Sequence, residues 1–438
     1  MPGMGSGSSP TSPIVSAFHT ALLQQLLVVL VIVAVVWAVW NQIRNARYRR
    51  WAATGVLPAS AAPNYRPAEP PARRILRLGF AFLWVLDGLL QLQSGMPLGM
   101  PGQVLRPAAS SSPAWVRDTV GFGAALWSHH PVLAAASVVW IQLGIGALLL
   151  VSPRGWLSRS AGLASAGWAM VVWVFGEAFG GVFGSGSSWL FGTPGAALLY
   201  AAAGLLIALP ERTWSPATGR RVLRCAGLFL LGMAVLQAWP GRGFWQGAGR
   251  GSSSGALLGM VRQMAETNQP AALVRVLHAF AHLDAAHGWA VNLVLVALLG
   301  AIGLSLSTLA GPAIRPALFA AATLCLADWV FVQDLGFLGG VGTDPNSMVP
   351  TAILLASGYV ALAGAAATRT AAGAARFWAQ PAGTTVFACA GDAGNAGNIG
   401  GPWWCRASLG QLTRLAGTVA ALGVVVLGVL PMSWAAIR

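Results

Sequence analysis

The chain has no lysine and little charge of any kind. Only 8% of its 438 residues are charged and all 26 basic residues are arginine, whereas about a quarter of the residues in soluble proteins are charged. Without lysine there is no GxxxxGK[ST] phosphate loop, and GxGxxG opening a helix after a strand, CxxCH and HExxH are missing as well. Nucleotide hydrolysis, dinucleotide binding on a Rossmann unit and c-type haem attachment therefore lack their usual signs. Four cysteines make no disulfide framework. Cys225 and Cys325 lie in apolar runs, where a buried thiol acts as a small hydrophobe, and Cys389 and Cys405 share one polar loop where they can pair or hold a metal.

What the chain does have is apolar length. It is 56% hydrophobic with a mean hydropathy of +0.67, which indicates an integral membrane protein. The net charge of +15 is spread over short loops between apolar runs rather than over one soluble face, so the expected partner is the lipid bilayer and not nucleic acid. The expected fold is all-helical with about ten transmembrane spans: 21–43, 75–95, 131–152, 158–182, 193–210, 222–240, 287–306, 315–335, 348–367 and 411–432. Residues 1–20 read as a disordered tail, 44–72 as a basic and Pro/Ala-rich linker, and 369–410 as a polar loop. Arg44, Arg47, Arg49 and Arg50 follow the first span directly, so the positive-inside rule assigns that end to the cytoplasm and the N-terminus to the extracytoplasmic side.

Ten of the 27 residues from Trp173 to Leu199 recur without a gap 156 residues later, from Trp329 to Leu355. An excess of identities at one fixed offset is the mark of a duplicated unit. Two four-helix units, 73–212 and 220–368, are expected in tandem and in parallel orientation, with one flanking helix at each end. Gly180 with Gly184 and Gly336 with Gly340 keep a GxxxG spacing, which either packs helices closely or marks a glycine-rich helix exit. Pro194 and Pro350, matched at the same offset, suit the first turn of a helix.

Ionisable groups within a membrane are costly and mark function by default. Asp87, Glu177, Asp328 and Asp334 fall in the outer half of the expected spans, as catalytic candidates or as structural partners of outer arginines. Trp173, Glu177, Trp329, Gln333 and Asp334 are expected to line one site between the units. His278 and His282 stand at i, i+4 near Asp284 and His287, with His129 and His130 in the corresponding loop of the first unit. Such imidazoles can hold Zn or Cu, or they belong to an interfacial amphipathic helix. In the paired outer loops, Trp189 and Phe191 face the choice between an interfacial belt and a lid over a pocket, while Asp344 suits an Asx turn.

From Ile141 to Met170, IQLGIGALLLVSPRGWLSRSAGLASAGWAM resembles the DoxX/DoxD-like membrane proteins: an apolar, Gly-rich span, a short basic turn at Arg154 and Arg159, and an opening helix that begins with Arg74 and Arg77. The resemblance implies a bacterial plasma-membrane protein in redox work, with quinone as cofactor and other membrane or extracytoplasmic redox proteins as partners. It assigns no numbered active-site residue. Three functions are therefore expected in order: a quinone-linked redox subunit, a small-solute transporter with pseudo-symmetric halves, and a non-catalytic scaffold of a larger complex.

Overall fold

A computed structural model describes residues 12–54, 69–184, 186–247, 255–266, 270–333, 335–336 and 342–378. Asp334, Gly340, Cys389, Cys405 and the expected last span, 411–432, lie outside them. Among the described residues all regular structure is helical. The main helices are α1 (Ser12–Thr54), α2 (Pro71–Leu90), α3 (Ala114–His129), α4 (Pro131–Val151), α5 (Gly155–Val171), α6 (Ala196–Ala208), α7 (Pro216–Ala238), α8 (Ala256–Ala265), α9 (Ala271–Thr308), α10 (Arg315–Phe331) and α11 (Met348–Trp378). Proline sits in the first turn of α2, α4 and α7, where its missing N–H costs no intrahelical bond.

Among the described residues, four helical stretches are long and apolar enough to cross a membrane: Pro13–Ile43, Pro131–Val151, Pro216–Ala238 and Ala271–Thr308. The expected span 158–182 breaks at Val171 into a wider π turn over Val172–Gly176. The expected span 193–210 is a helix of 13 residues; at 1.5 Å per residue it is shorter than a hydrocarbon core of about 30 Å. α9 begins well before residue 287 and runs through it, bent where His287 leaves helical geometry (φ −133°). α11 extends to Trp378, beyond the expected boundary at 368. Large apolar side chains such as Leu23, Leu27, Phe82, Trp156, Leu228 and Phe319 are exposed, a surface suited to lipid and ill suited to water.

Glycines set the close contacts. A Cβ on Gly162 would meet the Gly204 carbonyl oxygen at 2.6 Å and one on Gly204 would meet that of Gly162 at 2.6 Å, so α5 and α6 touch backbone to backbone. Gly227 and Gly303 bring α7 and α9 together in the same way. In lipid, small residues take the place of the hydrophobic drive for helix pairing. α11 joins the two halves of the chain: it packs on α7 and on α2, with Gly358 against Gly219 and Ser357 Oγ donating to the Ala72 carbonyl at 3.0 Å. α1 stands apart and reaches α4 near the buried Phe18.

One end of the first half is held by arginines that the topology reading counted as loop charges. Arg73 is fully buried; its Nη1 donates to Glu69 Oε1 (3.0 Å) and the Pro153 carbonyl (2.7 Å), and its Nη2 to Ser158 Oγ (2.7 Å) and the Ile207 carbonyl (2.9 Å). Arg77 binds Glu69 through Nε and Nη2, both at 2.8 Å, and caps the Leu149 and Leu150 carbonyls. These carbonyls belong to or flank the C-terminal ends of α4 and α6, which have no intrahelical donors. The start of α2 therefore meets the ends of α4 and α6 and the start of α5, which makes the four helices an up-and-down set. In the second half Arg220 likewise caps the Leu306 and Ser307 carbonyls at the end of α9, at 3.2 and 2.9 Å.

Replacing Arg73 by Leu leaves Glu69 and several buried carbonyls short of donors. Breaking a buried charge pair costs about 3–5 kcal/mol, so the variant is expected to lose many degrees of thermal stability in detergent. Arg159→Ala removes only an exposed 3.6 Å pair with Glu211 and is expected to unfold close to wild type. Thermal unfolding of the two variants side by side tests the assignment.

Candidate functional site

The four helices of the first half frame a cavity of about 220 Å³. Each wall follows from local sequence. On α2, Trp84, Asp87 and Gln91 are three to four residues apart and share one face; on α4, Ala134, Val138 and Gln142 form the same kind of stripe. The π turn at the end of α5 adds a residue per turn, a widening that recurs at functional sites, and brings Phe175 and Glu177 to the cavity. Ala196, Ala197 and Tyr200 come from the first turns of α6, and Phe122 and Trp127 from α3. Thr343 and Asp344, from the second half, complete the lining.

The walls are mainly apolar and aromatic, yet they hold buried polar atoms with no partner. Asp87 Oδ1, Gln91 Oε1, Gln142 Oε1 and Glu177 Oε2 accept no hydrogen bond, and the Trp168 indole N–H donates none. The Tyr200 hydroxyl is turned to the Asp87 carboxyl, its nearest acceptor. Glu177 is half satisfied: Oε1 accepts the Ala197 N–H at 3.0 Å, at the positive end of α6. Buried polar groups are nearly always paired, and each orphan costs about 1–3 kcal/mol. Five such atoms, from Asp87, Gln91, Gln142, Trp168 and Glu177, belong to residues that line this one cavity, which makes it the candidate site. Other indoles are satisfied: Trp84 donates to Ser165 Oγ at 2.8 Å and Trp127 to the Pro97 carbonyl at 3.0 Å.

Beside the cavity stands a turn that occurs twice. Trp173 Nε1 donates to the Pro194 carbonyl at 2.7 Å, and Trp329 Nε1 to the Pro345 carbonyl at 2.9 Å. Glu177 N–H reaches back to the Val172 carbonyl and Gln333 N–H to that of Asp328, both at 2.9 Å. Phe179 and Gly180 have positive φ, as do Leu335 and Gly336. Both glycines lie against the proline segment: a Cβ on Gly180 would meet the Pro194 carbonyl oxygen at 1.7 Å, and one on Gly336 the Asp344 carbonyl oxygen at 2.6 Å. Gly180 thus serves a tight turn and not a helix–helix contact. The acceptor that matches Pro194 is Pro345 and not Pro350, because the second loop is shorter between turn and helix; Pro350 sits in the first turn of α11.

The residues expected to form one site are divided. Glu177 and Asp87 reach the cavity. Gln333 and Asp328 are buried in a separate knot, where Gln333 Nε2 donates to Asp328 Oδ2 at 3.0 Å, Ser347 Oγ at 3.3 Å and the Leu190 carbonyl at 3.4 Å. Trp173 and Trp329 tie the two turns. His278, His282 and His287 are exposed on α9 while Asp284 is buried, and no group of three metal-ligating side chains occurs among the described residues. His129 is exposed, and the exposed His130 reaches the cavity lining. Gln91, Gln142 and Tyr200 escaped the sequence reading because they carry no formal charge at neutral pH; the signal available was a glutamine inside the otherwise apolar α4.

The loops that follow α5 and α10 are exchanged between halves. Ser188 Oγ of the first-half loop donates to Gln237 Oε1 at 2.6 Å, Gln237 Nε2 donates to Asn292 Oδ1 at 2.8 Å, and Arg242 donates to the Ser187 carbonyl at 2.6 Å. Trp189 is 3% exposed in the core of the second half, so it is no interfacial belt residue. In return, the Gly342 carbonyl accepts from Gln93 Nε2 at 3.0 Å and Asp344 enters the cavity lining. Asp344 forms the expected Asx turn: Oδ1 accepts the Asn346 N–H at 2.8 Å and Oδ2 the Thr343 hydroxyl at 2.9 Å. Burial holds its carboxyl above the usual carboxylate range, against the pull of these two hydrogen bonds.

Gln142→Leu removes one orphan from the cavity wall without creating another. The variant is expected to gain about 1 kcal/mol of stability in ligand-free protein and to lose ligand retention, whereas a purely structural Gln142 predicts a lower melting temperature; thermal unfolding in detergent separates the two. No protein-family model, curated protein or solved structure matches the chain.

Proposed function

We propose that this chain is a multi-pass membrane protein, built from two related helical halves, that binds a small and largely apolar molecule within its first half. The observation that carries the reading is the set of unpartnered polar atoms from Asp87, Gln91, Gln142, Trp168 and Glu177, all residues of one aromatic cavity. The doubled Trp–carbonyl turn supports a common origin of the halves. It also leaves them unequal: Glu177 lines a cavity, while its counterpart Gln333 packs against Asp328 and Ser347 away from it. That inequality favours one binding half with one supporting half over a path running between two equivalent halves.

Quinone-linked redox work is the form of this function that the DoxX/DoxD-like resemblance favours. The Trp168 N–H can donate to a quinone carbonyl, Gln91 and Gln142 can accept from the hydroxyls of a quinol, and Asp87 or Glu177 can take up its protons. Electrons would pass to a partner protein of the same membrane.

The test is to purify the protein in mild detergent and analyse what it retains, organic molecules and metals together. A small apolar molecule at near-stoichiometric yield, reduced at least tenfold by Glu177→Gln, is the expected result. Retention that is unchanged in Glu177→Gln and in Asp87→Asn would remove the cavity from the argument. A quinone in the extract would select the redox form, and flux of the retained molecule in liposomes without an electron donor would select transport.

A further inference from the structure

Accepting the cavity as the binding site, its polar inventory defines the class of ligand. Asp87 and Gln91 are each 2% exposed and Gln142 5%, so the unpartnered oxygens of these side chains are out of reach of bulk water. Counted with Glu177 Oε2, four unpartnered atoms are acceptors, against the Trp168 N–H as donor, since the Tyr200 hydroxyl is turned to Asp87. Three carboxyl groups, those of Asp87, Glu177 and Asp344, belong to the lining, and no arginine does. The buried acid–arginine pairs among the described residues join Glu69 to Arg73 and Arg77, outside the cavity. A ligand with only carbonyl oxygens would satisfy the Trp168 N–H and leave the acceptors of Asp87, Gln91, Gln142 and Glu177 without a donor.

We propose that the cavity takes a small organic cation, an ammonium group carried on a single-ring apolar body. A protonated amine brings three donors and one positive charge, which matches acceptors in excess and carboxyls without a counter-ion. Trp84, Trp127, Trp168 and Phe175 line the same space, and aromatic faces attract a cation most strongly when it is desolvated. Size limits the body. The cavity of about 220 Å³ is smaller than the roughly 300–1,000 Å³ of drug-sized pockets, which fits one ring and excludes a bulky polycyclic amine. Asp344 gives the second half a part in selectivity, since its loop brings the third carboxyl to a cavity framed by the first half.

The experiment is isothermal titration of the full-length protein, in uncharged detergent near neutral pH, with benzylamine, benzyl alcohol and benzoate. These share a ring and differ in charge. Benzylamine is expected to bind at least tenfold more tightly than benzyl alcohol, benzoate more weakly than either, and Asp87→Asn and Glu177→Gln each to cost benzylamine about tenfold while leaving benzyl alcohol unchanged. Asp344→Asn is expected to weaken benzylamine by a smaller factor, because both oxygens of Asp344 already accept hydrogen bonds. Benzyl alcohol or a quinol binding as tightly as benzylamine would overturn the cation assignment and leave the binding site standing. Failure of all three probes, with no retained small molecule, would overturn both. The comparison of probes on wild-type protein needs no variant to fold.

Discussion

Helix ends in an apolar surrounding carry carbonyls that have no intrahelical donor and no water to turn to. In this protein two arginines and one glutamate meet that demand at the ends of α4 and α6. Arg73 and Arg77, held together by Glu69, reach the terminal carbonyls of α4 and α6 and the Ser158 hydroxyl of α5. This clamp aligns four helices at one end. Their other ends are then free to splay, and the cavity lies where they do, among side chains well along α2, near the start of α4 and α6 and past the end of α5.

The break at the end of α5 turns that framework into a site. Had the helix continued as the apolar sequence suggested, Glu177 would have lain on a helix face. Instead the π turn and the run of positive φ angles from Ala178 to Gly181 swing the chain under the Pro194 carbonyl, and Glu177 ends against the first turn of α6. Backbone conformations of this kind are held only where their surroundings over-determine them, and here Trp173 and the absent Cβ of Gly180 supply that restraint.

Much of this was legible in sequence and some was not, for physical reasons. The match of Trp173 with Trp329 and of Gly180 with Gly336 was visible because each residue has a task no other side chain performs: an indole N–H of fixed reach, and a backbone angle that tolerates no Cβ. The partner of Pro194 was misread because a gapless alignment cannot see a shortened loop. Acids were flagged by the cost of burying charge, which found Asp87 and Glu177. Gln91, Gln142 and Tyr200 were missed because a neutral polar residue in an apolar helix looks like tolerance until the cavity beside it is seen. Boundaries suffered most where hydropathy ran on without interruption, as at Val171, since apolar composition does not register a change of helical pitch.

The exchanged loops fix an order of events in the making of the protein. A chain emerging from its N-terminus completes α2 to α6, and with them most of the cavity wall, before Thr343 and Asp344 exist. The first half therefore passes through a stage in which its cavity is open on the side those residues later cover. Its own outer loop, with the buried Trp189, waits for α7 and α9 to provide the core into which it packs. Each half therefore supplies residues that the other needs for its packing, and the finished cavity lining is a joint product of both.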